Sequence, residues 1–115
     1  MDINDPRTVA ETYFRSWKEP DFGTLRGILA DDVTFQGPLA TLDNADDCVT
    51  GLAGMAEILD DIAVQHVFVD GPDVLTWFDL HTTVATPAPT ANWQHIENGK
   101  ITHIRVAFDP RPLTG

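Results

Sequence analysis

The chain has 115 residues, 43% of them hydrophobic, with three tryptophans and a formal charge of −11. That is enough apolar material for one domain that buries roughly two thirds of its unfolded surface, which excludes disorder. So acidic a surface repels phosphate backbones and anionic lipid heads, which excludes nucleic acid and membrane surfaces as natural partners.

The single cysteine, Cys48, excludes an intramolecular disulfide framework and reads as a buried apolar residue rather than a reactive thiol. No apolar run approaches membrane-spanning length, and the residues after Met1 lack the basic, apolar, small-residue order of a signal peptide. The expected address is the cytoplasm.

In chain order, Asp5-Pro6 pairs an N-cap oxygen with a proline at the first helical position. Val9, Tyr13 and Trp17 then recur at four-residue spacing beside Ala10 and Phe14, which predicts an amphipathic helix to about Lys18, stopped by Pro20. Asp21 caps a shorter helix with Phe22, Leu25, Ile28 and Leu29 inward, and Asp31-Asp32 leads into a strand over 33–37. Residues 38–50, with Asp43, Asp46, Asp47 and a proline, read as a long irregular loop of the kind that often forms a functional lid. A third helix follows, with Met55, Ile58, Leu59 and Ile62 on one stripe. Strands are expected near 64–69 and 74–84, then a hairpin over 92–110 after Pro87 and Pro89. Helices first and consecutive antiparallel strands afterwards give the α+β class, with the sheet curled around the helices.

The hairpin NWQHIENGKITHIRVAFDP carries a parity choice. A two-residue type I′ turn at Asn98-Gly99 pairs Glu97 with Lys100 and, continued regularly, puts Trp93 and His95 on one face with Ile104 and Val106. A type I turn over Glu97-Asn98 with Gly99 as a bulge shifts the parity by one and joins Asn92, Gln94 and Ile96 to Ile104, Val106 and Phe108.

The segments VAETYFRSWKEPDFGTLRGILADDVTFQGP and WQHIENGKITHIRVAFDP resemble the nuclear transport factor 2-like superfamily, and within it the SnoaL-like group of polyketide cyclases, ketosteroid isomerases and limonene epoxide hydrolases. The resemblance spans nearly the whole chain, so residues 1–115 read as one SnoaL-like domain. It implies a bent sheet wrapping three helices into a cone, an apolar ligand pocket inside the cone, and pairing of the outer sheet face in a homodimer. It also implies that the even positions of the hairpin face the cone, which favours the bulged turn. Trp17, Phe35, Phe78, Asn92, Val106 and Phe108 are then the expected ligand-binding residues, and a small hydrophobic molecule the expected partner. Trp93, His95, His103 and Arg105 fall on the outward face expected to pair.

The catalytic carry-over is partial. Tyr13 matches the tyrosine with which ketosteroid isomerases hydrogen-bond a developing oxyanion, and Gln94, able to donate from its amide, falls at the second donor. The general base of that family falls at Gly37, which cannot accept a proton. The acid, arginine and second acid of limonene epoxide hydrolases fall at Phe78, Leu80 and Val106, and their water-holding tyrosine and asparagine at Phe35 and Gly37. Asp109 lies outside the matched positions.

Tyr13, Asn92 and Gln94 have a structural reading too, as a core hydrogen-bond network. The histidines at 66, 81, 95 and 103 lack metal-ligand spacing, and His81, His95 and His103 alternate with the outward faces, while His66 has open parity and could act as a base. Without a phosphate loop or metal motif, no cofactor and no metal are expected. Two functions stay open. One is an isomerase, cyclase or dehydratase acting on a carbonyl compound, with Tyr13 and Gln94 as donors. The other is a non-catalytic ligand-binding or dimerisation module.

Overall fold

Helix α1, Pro6–Lys18, begins where Asp5 accepts a hydrogen bond from the Thr8 amide at 3.3 Å and Pro6 supplies a pre-set first turn. Its apolar stripe buries Val9, Ala10, Tyr13, Phe14 and Trp17. The computed structural model describes residues 5–114. Helix α2, Phe22–Gly27, is capped by Asp21, and Leu25 anchors it in the core.

Strand β1 spans Leu29–Gln36, earlier than the sequence reading placed it. Asp31 and Asp32 lie within the strand, at an irregularity between Leu29 and Thr34, and do not lead into it. Both acids are solvent-exposed, which is why the strand tolerates them, and the Arg26 guanidinium pairs with Asp31 at 2.8 Å and with Asp46 at 3.0 Å.

The expected long loop over 38–50 is not there. A tight turn, closed by the Gly37 amide donating to the Ala40 carbonyl at 2.9 Å, leads to the short strand β2, Thr41–Leu42. Helix α3, Ala45–Ala56, starts immediately afterwards. Asn44 caps it by accepting from the Asp47 amide at 2.8 Å, and Asp46 and Asp47 occupy the first turn, where negative charge complements the exposed amides. The acidic run is thus a helix start. The far end of the expected third helix moves as well. Met55 is helical, but Leu59 and Ile62 belong to β3, because the chain leaves the helix after Ala56 and the β-branched residues beyond it pair with β4.

Strands β3 (Leu59–Asp70), β4 (Asp73–Thr82), β5 (Ala88–Glu97) and β6 (Lys100–Ala107) form antiparallel neighbours, and β1 joins β6 in parallel. The six-stranded order is β2-β1-β6-β5-β4-β3 in a curved, unclosed sheet, with α1, α2 and α3 in the N-terminal half and a short helix α4, Arg111–Thr114, at the end.

The final hairpin combines the two alternatives. Asn98 and Gly99 both have positive φ, 53° and 76°, and Glu97 pairs with Lys100, which is the two-residue turn. The register then shifts: Ile96 faces Ile101 but His95 faces His103. Thr102 is the extra residue, its hydroxyl donating to the His95 carbonyl at 3.2 Å. The bulge exists, yet it sits at Thr102 and not at Gly99. It sends Asn92, Gln94, Ile96 and Ile104 to the buried face.

Candidate ligand cavity

The concave sheet face and the helices enclose a cavity of about 430 Å³, within the roughly 300–1,000 Å³ range of small-molecule sites. Helix α1 contributes Tyr13 and Trp17, and the Trp17 indole donates to the Leu52 carbonyl at 2.9 Å, locking α1 to α3. The sheet contributes Phe35, Phe78, Leu80, Thr90, Asn92 and Val106, with Phe108 just beyond β6. The buried residues Tyr13, Trp17, Phe78, Leu80 and Asn92 form the floor, and the exposed Pro38, Leu39, Thr50, Gly51 and Gly54 form the rim.

Seven of the eight residues singled out from the sequence therefore converge on one wall: Tyr13, Trp17, Phe35, Phe78, Asn92, Val106 and Phe108. Gln94 does not. It shares the buried face with Asn92 and is 1% exposed, but it stands opposite Val74 and Ile104 and is not part of the cavity wall. Its position follows from strand geometry, since residues two apart on one face are displaced by about 6–7 Å along the strand. Neither atom of its amide has a hydrogen-bond partner among the described residues.

The wall residues that sequence reasoning did not assign to the site, Cys48, Leu52 and Met55 above all, sit on α3, whose first half, through Thr50, falls within the expected loop. The signal was present as Asn44 three residues before Asp47, a capping pattern ahead of an apolar run.

The polar groups on the wall are few. Thr90 spends its hydroxyl on the Ala88 carbonyl at 2.9 Å and Thr50 on the Asp46 carbonyl at 3.0 Å. The Tyr13 phenol faces the Asn92 side-chain amide. Burial, and secondarily the neighbouring Cys48, raise the phenol's pKa, while hydrogen bonding from Asn92 opposes the rise, so Tyr13 is a neutral hydroxyl at physiological pH. Burial followed by Asp47 and Asp43 pushes the Cys48 thiol up to about 11, so it stays protonated and is a poor nucleophile. Among the described residues no carboxylate, histidine, lysine or arginine lines the cavity.

The other titratable candidates lie elsewhere. His66 is exposed on the outer face, paired with Trp77 and stacked on Phe68 with ring centres 5.9 Å apart, which removes it as an inward base. A bulge between Val64 and His66 sets that orientation. Asp109 is engaged by Arg111 at 2.6 Å, which holds its carboxyl down at about 2. His95 lies between Asp73 at 2.8 Å and Glu97 at 3.3 Å, its ring N–H donating to a carboxylate oxygen, and the bond to Asp73 raises its pKa. Among the described residues no group of histidines, cysteines and acids is placed to hold a metal, and no helix is long and apolar enough to cross a membrane.

A curved, unclosed sheet around N-terminal helices with an apolar interior is the architecture of the nuclear transport factor 2-like fold. The SnoaL-like domain model matches residues 10–104, and the chain belongs to that family. A protein of the nuclear transport factor 2-like class, of unknown function, from Cytophaga hutchinsonii superposes with a TM-score of 0.86 at 24% identity, covering 96% of this chain and 95% of that one. A protein from Kribbella flavida is similar at 29% identity and a TM-score of 0.87, over 92% and 88% of the two chains. An epoxide hydrolase of the limonene type from M. tuberculosis shares the fold at 19% identity and a TM-score of 0.79, over 95% and 86%. Among curated proteins no sequence matches.

Proposed function

We propose that the cone is a receptor site for a small, mostly apolar molecule whose one polar end meets Tyr13 and Asn92. The observation that carries this reading is the distribution of polarity: a hydrocarbon wall with its uncommitted hydrogen-bonding groups gathered at one place on the floor. The positions that hold epoxide hydrolase machinery in relatives, Phe35, Gly37, Phe78, Leu80 and Val106, all line this cavity, where they offer a ligand only apolar contact or backbone. Binding is favoured over proton abstraction because the wall supplies no base among the described residues.

A second reading rests on Tyr13 itself. A neutral phenol on an apolar floor can polarise a bound carbonyl, so an isomerase, cyclase or dehydratase acting on a carbonyl compound that carries its own proton acceptor fits the same site. Gln94 has no part in that chemistry from its place outside the cavity wall, and Asn92 takes over as the second polar group.

A melting-temperature screen of the whole protein against apolar ketones, phenols and hydrocarbons tests the receptor reading. A ligand that binds the folded state raises the midpoint by mass action. No shift from any compound at concentrations near their solubility would overturn it.

The outer sheet face supports a proposal about assembly. Phe68, Leu75, Trp93 and Arg105 stand in one cross-strand row, and Trp77 lies beside them, all exposed or half-buried on the convex side. Aromatic and arginine side chains in such a row favour a partner surface over water. The proposed partner is a second copy of the chain, with His95 and His103 at the same face. Sedimentation at micromolar concentration checks it, with a dimer expected and a monomer at every concentration overturning it.

A further inference from the structure

We infer that the cavity selects a neutral molecule carrying a hydrogen-bond donor next to a carbonyl acceptor, such as a lactam, secondary amide or hydroxy-ketone, on an apolar frame. This rests on the receptor reading and narrows it to a ligand class.

The inference comes from an inventory of lone pairs and protons on the wall. Asn92 is 2% exposed, and its Oδ1 has no hydrogen-bond partner among the described residues. Its side-chain amide is the polar neighbour of the Tyr13 hydroxyl. The Tyr13 O–H, in turn, meets no acceptor among the described residues. Side by side, therefore, the floor offers outgoing protons, the Tyr13 O–H and an Asn92 N–H, and one unpartnered oxygen, Asn92 Oδ1. Turning the amide over leaves the count unchanged: Asn92 then accepts from Tyr13 and presents N–H, while the phenol oxygen presents the lone pair. In either arrangement the complementary ligand brings one acceptor and one donor on neighbouring atoms.

A ketone alone satisfies half of this and leaves a buried acceptor unpaired, which costs affinity. A carboxylate fails for a different reason. It brings only acceptors and a charge into a wall without a cation among the described residues, beside Asp43 and Asp47, in a chain of formal charge −11. The remaining wall hydroxyls, Thr50 and Thr90, donate to backbone carbonyls and do not change the preference.

Three matched neutral probes and one anion test this on the wild-type chain and one variant. Phenanthridinone has a lactam N–H beside its carbonyl, N-methylphenanthridinone keeps only the acceptor, and phenanthrene has neither. Titration by fluorescence or calorimetry is expected to rank phenanthridinone first, about tenfold tighter than its N-methyl form, the worth of one satisfied hydrogen bond in a dry site. Phenanthrene carboxylate is expected to bind most weakly. In Asn92→Leu, which keeps side-chain bulk, the preference for phenanthridinone over its N-methyl form should vanish while phenanthrene binding persists. Equal binding of the three neutral probes by wild type overturns the donor-acceptor class and leaves the receptor reading standing. Tightest binding of the carboxylate overturns neutrality. Failure of all four probes to bind overturns the receptor reading and this inference with it.

Discussion

The Asn92 side-chain amide faces the Tyr13 hydroxyl, joining β5 to α1 across the floor of the cavity. Both are almost fully buried, and Asn92 is the side-chain polar group that acts on the Tyr13 hydroxyl. Tyr13→Phe removes the hydroxyl and leaves the Asn92 amide without its protein partner. The expected cost is about 1–2 kcal/mol in urea unfolding, together with weaker binding of any ligand that accepts from the phenol. A variant as stable as wild type, with unaltered binding across the probes, would remove Tyr13 from both roles.

Gln94 behaves in the opposite sense. It is buried with both amide atoms unpaired among the described residues, so its polarity costs stability where it stands. Gln94→Met keeps the length of the side chain and removes the desolvated amide. An increase of about 1 kcal/mol or more in unfolding free energy is expected, with ligand binding unchanged because the residue is off the cavity wall. A loss of stability would mean that the amide is satisfied in solution.

Gly54 sits inside α3 at the cavity rim, and a Cβ built on it meets nothing within 4 Å. Gly54→Ala should stabilise the helix by about 0.5–1 kcal/mol, the conformational freedom that glycine loses in a helix interior. A bulky replacement has the same backbone benefit but projects into the mouth. Gly54→Leu is therefore expected to slow ligand association without lowering the melting temperature, which stopped-flow binding beside a thermal melt would show.

His95 supplies a pH dependence. Its bond to Asp73 raises the folded-state pKa above the ordinary 6.5. The resulting stabilisation is fully present below the ordinary value and is lost as pH rises through the raised folded value. Relief of repulsion among the many acids also stabilises the chain on acidification, so the comparison has to be with His95→Gln. Between about pH 8 and about pH 6, wild type should gain more in its urea midpoint than that variant, and equal gains would remove His95 as the source.

Much of this was legible in local chemistry. Asp5-Pro6 and Asp21 started the first two helices where their capping oxygens predicted, and the Val9-Tyr13-Trp17 spacing named the buried face of α1. The loop over 38–50 was misread because acids look like solvated loop until a cap is recognised. Asp46 and Asp47 are at a helix start for the same electrostatic reason that makes them polar. The stripe Met55, Ile58, Leu59 and Ile62 matched a helical period, yet pairing with β4 claimed its last two members.

The amino-acid sequence by itself determined the α+β class, the family and the apolar set facing inward. Capping, alternation and period are local properties, and a single chain segment carries them. Only the tertiary structure decided that Thr102 is the extra residue of the hairpin, that Asn92 reaches the cavity while Gln94 does not, and that α3 closes the cone. Those outcomes depend on which strands pair in which register and on how far the sheet bends. Register is a contest among many partners at once, in which one inserted residue turns over every side chain beyond it.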